Sequence, residues 1–349
     1  MKEPKKKYDQ NNWLPTSVKE MKLRGWDNVD VVLFTGDAYI DHPSFGCGII
    51  SRWLEHLGLK VAVVPQPNWQ DDLRDFKKFG KPTLFFAVTA GNMDSMINHY
   101  TANRRLRSDD AFTPGGRAGA RPDYAVTVYT QILKKLFPEV PVIIGGIEAS
   151  LRRLAHYDYW SDSIKPSVLI DSGADLLVYG MGEKPIKVIV NRLLNGESIS
   201  SLLDIPQTAF TVSTKEKLSE ETFQRSISLF SFAKCKDDKL KFAQNFRIIE
   251  EESNRDDAAR LLEPVGDRIV VVNPPFTKYS QDEIDKPYSL PYTRMPHPRY
   301  QGKETIPAYE MIRDSVNIHR GCFGGCSFCT ISAHQGKHIL SRSESYIVD

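Results

Sequence analysis

The stretch Pro141-Val-Ile-Ile-Gly-Gly146 is a short apolar run that stops at two glycines. A run of apolar, β-branched residues without polar alternation is typical of a strand that is buried on both faces of a sheet. Glycine at the end of such a strand lets another molecule approach the backbone, because glycine has no Cβ. The stretch therefore predicts an inner strand of an α/β sheet whose carboxyl end faces a binding edge.

Similar runs lie on both sides of this stretch along the chain. They predict further strands at residues 30–34, 61–64, 83–88 and 174–179. Apolar residues at helical spacing separate the strands and predict helices at residues 49–57, 73–79, 124–137 and 185–194. Strands that alternate with helices predict an α/β fold with a doubly wound, mostly parallel sheet.

The pattern changes after residue 197. Residues 213–228 are charged and rich in Ser and Thr, residues 239–262 have the spacing of an amphipathic helix pair, and residues 268–272 form a strand pattern. Residues 285–309 are rich in Pro and Tyr, and X-Pro bonds favour extended chain. We therefore predict an N-terminal α/β domain at residues 1–197, a connector at 198–307 and the start of a further domain at 308–349.

Composition places the chain among ordinary globular proteins. Of its 349 residues, 41% are hydrophobic and 26% are charged, and the net charge is only +2. This charge gives no reason to expect nucleic acid or an anionic membrane as a partner. No run approaches 18 apolar residues, and the four lysines among residues 1–7 are not followed by the apolar run of a signal peptide.

The chain has five cysteines, three of which are crowded into one loop. An odd number with this clustering indicates a metal or cluster site and not a set of disulfides, so we expect a reducing, cytoplasmic environment. Cys47 and Cys235 have no cysteine or metal-ligand cluster nearby in sequence, and we expect them to be packed thiols.

The cysteine loop reads Cys322-Phe-Gly-Gly-Cys326-Ser-Phe-Cys329, a Cys-x₃-Cys-x₂-Cys spacing. Its two glycines allow the tight turns that bring several thiolates to one centre. Three thiolates suit an iron–sulfur cluster, and a [4Fe–4S] cluster normally takes four cysteines, so one iron would be open to another ligand. A structural zinc site made with His319, His334 or His338 stays open as the alternative, although zinc sites more often pair their cysteines as two Cys-x₂-Cys units.

The loop resembles the cluster-binding loop of the radical S-adenosylmethionine (radical SAM) superfamily. The resemblance implies that Cys322, Cys326 and Cys329 bind a [4Fe–4S] cluster and that its open iron binds S-adenosyl-L-methionine. It also implies reductive cleavage of this cofactor to a 5′-deoxyadenosyl radical, with an electron donor such as flavodoxin or ferredoxin. Phe328 corresponds to the aromatic residue that lies beside the adenine. Catalytic residues and substrate are not assigned by the resemblance.

Two other stretches, residues 290–298 and 315–343, are similar to one branch of this superfamily, the YgiQ-type proteins. Within them, Tyr292, Arg294, His297, Arg299 and Tyr300 are either site residues or a structural wrap, and the resemblance favours a site. The rival hypothesis is a non-enzymatic α/β ligand-binding protein with a structural Cys₃His zinc site.

The resemblance further implies that a (β/α) barrel begins at residue 308 and is cut off at the end of the chain. Residues 315–319 would be its first strand. Ser341 and Glu344 have the spacing of a capping box that opens the first barrel helix. We expect the chain to be the N-terminal part of a longer enzyme, with a loosely attached tail from about residue 308.

Residues 141–146 and 174–183 also resemble the last strands of cobalamin-binding-like α/β domains. The Asp-x-His-x-x-Gly motif of cobalamin proteins is absent, and Asp41-His42 only approaches it. Cobalamin is therefore a minor candidate cofactor. The insertion at residues 104–121 carries five arginines that either hold an anion or face solvent, and the two aspartates within it favour solvent: Arg104, Arg105, Arg107, Arg117 and Arg121.

Overall fold

The computed structural model describes residues 12–215, 225–253, 255–326 and 328–348. The lysine-rich start of the chain, most of the charged stretch at 213–228, and Ser327 of the cysteine loop lie outside the described residues. Within the described ranges, no helix has both the length and the apolar character needed to cross a membrane.

The strands are β1 Val31–Thr35, β2 Ile40–Asp41, β3 Val61–Pro65, β4 Phe85–Thr89, β5 Val142–Gly145, β6 His156–Asp158, β7 Ser163–Lys165, β8 Leu176–Val178, β9 Thr208–Ser213, β10 Ser226–Ser228, β11 Arg260–Val265, β12 Arg268–Val272, β13 Met295–Pro296, β14 His319–Arg320 and β15 Leu340–Ser341. The helices are α1 Val18–Leu23, α2 Gly46–His56, α3 Arg74–Lys77, α4 Ser95–His99, α5 Ala125–Leu136, α6 Gly146–Leu151, α7 Val168–Ser172, α8 Glu183–Leu194, α9 Phe232–Asp237, α10 Lys239–Glu252, α11 Gln281–Asp285, α12 Pro307–Ile312, α13 Ile331–Gln335 and α14 Glu344–Val348.

A single large sheet organises the molecule, in the order β10-β11-β12-β9-β8-β5-β4-β1-β3. Five neighbouring strands of this sheet, β3, β1, β4, β5 and β8, are all parallel. They confirm the five strands predicted from the apolar runs. In the sheet, β1 lies between β3 and β4, which are the next two strands of this sheet along the chain. The strand order therefore reverses between β1 and β4, and this reversal is where open α/β sheets bind ligands.

Helices cover both faces of the parallel strands because successive strand residues point to opposite faces. Val32 and Phe34 face one layer, where the Phe34 and Phe76 rings stack with centroids 5.2 Å apart. Val31 and Leu33 face the other layer, formed by α2 and α8. Each fully buried side chain of this kind contributes about 1.5–3 kcal/mol to folding. The sheet is thus doubly wound, as predicted.

Four strands of residues 208–272 continue the sheet beyond β8. β9 pairs antiparallel with β8 and β12, β12 pairs antiparallel with β11, and β10 runs parallel to β11. Residues 198–307 therefore contribute to the same sheet as the α/β domain and do not only connect two domains. The domain limits themselves stay a prediction.

The helix pair predicted at residues 239–262 is partly wrong. The helices are α9 and α10, and β11 begins at Arg260. β11 and β12 are joined by the two-residue loop Gly266-Asp267, in which Gly266 has a φ of +62°. A two-residue loop with glycine is a hairpin signal. Read together with the apolar run at 268–272, it could have identified both strands.

The segment from residue 317 to 348 packs against the sheet and the preceding helices. β14 pairs antiparallel with β15, so it is not the parallel pair with which a barrel would begin, and the barrel stays a prediction. Ser341 lies in β15 and α14 begins at Glu344, so the predicted capping box is wrong. The expected loose tail is also wrong, since Lys337 pairs with Glu250 at 3.2 Å and the Ser343 N–H donates to Asp285 at 2.9 Å.

Candidate functional site

A cavity of about 320 Å³ lies at the carboxyl edge of the parallel strands, between the sheet and residues 317–335. It opens beside the strand reversal, because residues after β1 and β4 form part of its wall. Apolar side chains from the strands and from α2 and α8 form its floor: Leu33, Ile49, Ile50, Leu54, Phe85, Ala87, Ile143, Val178, Ile186 and Ile189. Polar residues from the cover complete it: Asn317, Arg320, His334 and Gln335.

Glycines at the strand ends allow the close approach that the sequence predicted. Gly146 has a φ of +84°, and a Cβ on it would lie 2.4 Å from Thr89 Oγ1. Gly180 has a φ of +70°, and its Cβ would lie 2.9 Å from the His334 carbonyl oxygen. Part of what approaches these glycines is therefore the chain itself, since α13 lies directly over the end of β8.

A buried ion pair joins the cover to the sheet. Arg320 Nη1 donates to Glu183 Oε1 at 2.5 Å, and Glu183 is the first residue of α8. The carboxylate is 7% exposed. Breaking such a buried pair by removing one partner typically costs 3–5 kcal/mol, so the pair holds β14 in place above α8.

His334 is fixed in the cavity wall by one hydrogen bond. Its Nδ1 lies 2.9 Å from Ser150 Oγ, and the same hydroxyl accepts the Gly180 N–H at 3.2 Å. Because a hydroxyl can accept two hydrogen bonds as well as donate one, either Ser150 Oγ or His334 Nδ1 can be the donor in this bond. Burial lowers the pKa of His334 to about 3, and the nearby Arg320 and Arg153 act in the same direction. The ring is therefore neutral near pH 7.

The cysteine loop leaves this cavity wall between β14 and α13. The Cys322 N–H donates to the Gly336 carbonyl at 3.1 Å, and the Gly321 N–H donates to Gln335 Oε1 at 3.2 Å. Cys326 is exposed, whereas Cys322 and Cys329 are half-buried. Phe328 is 89% exposed. The loop is thus anchored at its base, and Cys326 and the Phe328 ring face outward.

Gly324 lies between two of the sulfur atoms. Its N–H donates to Cys322 Sγ at 3.4 Å, and a Cβ on Gly324 would lie 3.3 Å from that sulfur and 3.6 Å from Cys326 Sγ. Across the described ranges, no three His, Cys, Asp or Glu side chains are arranged as a metal site. The structure therefore brings Cys322 and Cys326 to one side of Gly324 but does not assemble all three cysteines around one centre.

The arginine-rich insertion is divided between the interior and the surface. Arg121 is buried and donates to the Ala90 carbonyl at 2.8 Å, and it pairs with Asp37 at 2.7 Å and Asp110 at 3.1 Å. Arg121 is thus used within the fold and does not hold a ligand. Arg117 pairs with Glu304 on the surface. The exposed members are Arg104, Arg105 and Arg107.

Residues around Asp41 and His42 are also used within the fold. Asp41 pairs with Arg52 at 2.6 Å and accepts the Thr293 N–H at 2.9 Å. His42 Nδ1 accepts the Ser44 N–H at 3.1 Å, and burial lowers the pKa of His42 to about 4.

The Pro- and Tyr-rich stretch contributes β13, which pairs with β2, and Tyr300 OH accepts the Tyr39 N–H at 3.0 Å. These contacts match a structural wrap. Its five candidate site residues, Tyr292, Arg294, His297, Arg299 and Tyr300, do not line the cavity at the sheet edge.

The two isolated cysteines are packed, as expected. Cys47 in α2 and Cys235 in α9 are both buried. Asn245 Nδ2 donates to Cys235 Sγ at 3.1 Å, and burial raises the pKa of this thiol to about 11. Neither cysteine is part of the loop that carries the other three.

The family model described as radical SAM N-terminal matches residues 13–315. The chain belongs to this family. A UPF0313 protein of Porphyromonas gingivalis is 62% identical over 337 residues, which cover 97% of this chain and 53% of the relative. The UPF0313 protein YgiQ of Escherichia coli K12 is 47% identical in an alignment 387 positions long, which covers 97% of this chain and 52% of the relative. The predicted membership of the YgiQ-type branch is confirmed.

The chain spans about half the length of the curated relatives it matches. The family model ends before the cysteine loop, whereas the similarity to the UPF0313 proteins covers nearly the whole chain. A solved structure of the radical SAM methyltransferase TsrM from Kitasatospora setae, with cobalamin and a [4Fe–4S] cluster bound, has a TM-score of 0.45 at 14% identity over 91% of this chain and 44% of that one. This likeness is too low to match residues one to one.

Proposed function

We propose that this chain is part of a radical SAM enzyme in which Cys322, Cys326 and Cys329 bind a [4Fe–4S] cluster. The observation that supports the proposal is the cysteine loop, which carries three free cysteines and is held at its start, through Gly321 and Cys322, to residues 335–336 beside the cavity at the sheet edge. Family membership supports the class of enzyme. The substrate and the reaction outcome are not part of this proposal.

The residues present fit the cluster. Iron–sulfur clusters are held by thiolates, and the loop offers three of them with no disulfide. The missing side chain at Gly324 leaves room between the sulfurs of Cys322 and Cys326, because a Cβ there would be in close contact with both. The cluster, when bound with S-adenosyl-L-methionine, supplies the electron for reductive cleavage of the sulfonium.

Other residues of the chain have supporting roles in this proposal. Phe328 is an exposed ring next to Cys329 and can stack against the adenine. Arg320 and Glu183 hold the base of the loop to the sheet through their buried pair. The exposed sulfur of Cys326 leaves the cluster open to an electron donor such as flavodoxin or ferredoxin in a reducing cytoplasm.

Two other cofactor hypotheses are less well supported. The zinc alternative is not favoured, because family membership supports the radical SAM class. Of its three candidate histidines, His334 is bonded to Ser150 through Nδ1, whereas His319 and His338 are exposed. Cobalamin is less well supported because the Asp-x-His-x-x-Gly motif is absent from the sequence. His42, which approaches the cobalamin motif, is buried and its Nδ1 is bonded to Ser44.

The test is anaerobic reconstitution of the full-length protein with iron and sulfide. We expect about four irons per chain, and a cluster spectrum that changes when S-adenosyl-L-methionine is added. Replacing Cys322, Cys326 or Cys329 by Ala should abolish iron binding. Cys235→Ala is the matched control and should keep it. Iron retained by the triple Cys→Ala variant, or native protein that contains zinc and no iron, would refute the proposal.

A further inference from the structure

No residue of the cysteine loop lines the cavity at the sheet edge, but residues on both sides of the loop do. Arg320 lies two residues before Cys322, and Ile331 lies two residues after Cys329. Both line the cavity. A molecule held in this cavity would therefore lie under the base of the loop, with its cover made by the same segment that carries the three cysteines.

The volume and lining of the cavity define the size and polarity of an occupant. Pockets for small molecules measure about 300–1,000 Å³ and are mostly apolar with a few placed polar groups. At 320 Å³ the cavity is at the lower end of this range. Because a water takes about 30 Å³ in the liquid, the space suits on the order of ten to fifteen non-hydrogen atoms. The apolar floor requires a mainly hydrocarbon body.

The polar cover of the cavity offers donors and few acceptors. His334 Nε2 has no protein partner in the described ranges, and it carries the ring proton when Ser150 Oγ donates to Nδ1. Gln335 Oε1 accepts the Gly321 N–H, and Asn317 Oδ1 accepts from Ser44 Oγ at 2.5 Å. Each amide therefore has its oxygen in use and its NH₂ group left over. In the part of the chain that the structure describes, these three nitrogens have no protein acceptor.

The charged groups of the cavity do not change this pattern. Arg320 and Glu183 neutralise each other in their 2.5 Å pair. Asn317, His334 and Gln335 are only partly buried, so their unused nitrogens can be reached from the cavity. An occupant that brings hydrogen-bond acceptors to the cover can bond to them.

We propose that this cavity binds a small, mainly apolar molecule that carries a carboxylate or ketone oxygen, with the apolar body on the floor and the oxygen toward His334, Gln335 and Asn317. That this molecule is the substrate of the cluster chemistry rests on the function proposed above. The binding itself does not, because none of the three cysteines lines the cavity.

The test uses three probes with the same phenyl-alkyl body and different head groups: 4-phenylbutanoate, 4-phenyl-2-butanone and 4-phenylbutylamine. Binding to the full-length protein is measured by calorimetry and by saturation-transfer NMR. We expect the carboxylate, the ketone or both to bind at least tenfold more tightly than the ammonium. Equal or tighter binding of the ammonium would overturn the donor assignment.

Two variants and a matched control locate the binding. Ala87→Phe fills the cavity from β4 and should weaken the best probe at least tenfold, whereas Ala118→Phe, at an exposed position outside the cavity, should not. His334→Phe keeps a ring but removes the Nε2 donor, and should weaken the acceptor probes roughly three- to tenfold while leaving the ammonium unchanged. Undiminished binding by Ala87→Phe would overturn the proposal.

The cluster and the cavity can be tested separately. The triple Cys→Ala variant should lose its iron and still bind the best probe, and Ala87→Phe should keep its iron and lose the probe. Loss of both iron and probe by Ala87→Phe, with an unchanged circular dichroism spectrum, would contradict the separation of the two sites. Displacement of the probe from the parent by hydroxocobalamin, with no hydroxocobalamin binding by Ala87→Phe, would instead show that the occupant class proposed here is wrong.

Discussion

The two halves of the nine-stranded sheet differ in where their strands end. β3, β1, β4, β5 and β8 are parallel, so their carboxyl ends meet at one edge, and the cavity lies there. β9, β12 and β11 alternate in direction, so neighbouring strands end on opposite sides and no common edge forms. The difference shows that the position of the candidate site follows from strand direction and not from the composition of the strands.

The two halves of the sheet also differ in whether a buried charged side chain has a partner of opposite charge. At the edge of the parallel half, Arg121 pairs with Asp37 and Asp110 in the interior. In the other half, Glu263 on β11 is 1% exposed and accepts the Ala155 N–H at 2.9 Å. Within the described ranges no cationic side chain pairs with it. The carboxylates of Asp37 and Asp110 are thus compensated by Arg121, whereas Glu263 is buried without a counter-charge among the described residues.

The largest effect is expected from removing the compensating charge in the parallel half. Arg121→Met leaves Asp37 and Asp110 buried without a cation and should lower the free energy of unfolding by about 3–5 kcal/mol. Urea denaturation measures the change. Arg117→Met, which removes only the exposed pair with Glu304, should stay within about 0.5 kcal/mol of the parent. Equal losses in both variants would break the comparison.

In the half of the sheet that contains β9, β12 and β11, the buried carboxyl of Glu263 should make the stability of the fold depend on pH. Desolvation raises the pKa of this carboxyl to about 7 from an ordinary value of 4.5, while the Ala155 N–H acts to lower it. Between these values the unfolded state has lost a proton that the folded state keeps, so stability falls as pH rises from 4.5 to 7. Glu263→Gln cannot ionise and should be more stable than the parent by about 1–3 kcal/mol at pH 8, and by much less at pH 4.

Thermal unfolding of Glu263→Gln at the two pH values checks this prediction. Glu310→Gln changes an exposed carboxyl on α12 and should show no pH-dependent difference from the parent. A gain for Glu263→Gln that is the same at pH 4 and pH 8 would mean that its ionisation is not the cause.

The cysteine loop beside the parallel half carries two exposed phenylalanines whose effects can be compared. Phe328 is 89% exposed and Phe323 is 79% exposed. If Phe328 stacks on the adenine, Phe328→Ala should weaken S-adenosyl-L-methionine binding by about 1–2 kcal/mol, within the range of base–aromatic stacking. Phe323→Ala should have little effect. Calorimetry on the reconstituted full-length protein makes the measurement, and equal effects of the two variants would remove the assigned role of Phe328.

The smallest effect is expected at the packed thiols, one under each half. Cys47→Ala and Cys235→Ala should each cost about 1 kcal/mol of stability. Both variants should keep the iron content of the parent in the reconstitution experiment. Loss of iron from either one would mean that a distant thiolate completes the cluster site, and the open iron would no longer be available to a cofactor.

The parallel half and the cysteine loop were determined by local sequence. Apolar runs that end in glycine, with amphipathic helices between them, are local patterns, and they predicted all five parallel strands and the helices α2, α5 and α8. The spacing of Cys322, Cys326 and Cys329 is likewise local and identified the family. Burial on both faces demands this pattern of any inner parallel strand, so it can be read without knowing the partners.

Only the tertiary structure decided which groups are already in use. The sequence favours a surface position for Arg121. In the structure it is buried and pairs at 2.7 Å with Asp37, which lies 84 positions away along the chain. The bond between His334 and Ser150, and the addition of β9 and β12 to the sheet, depend on contacts of the same long range. A side chain's type fixes what it can bond, but its partner and its burial are set by packing between distant segments, which no local pattern records.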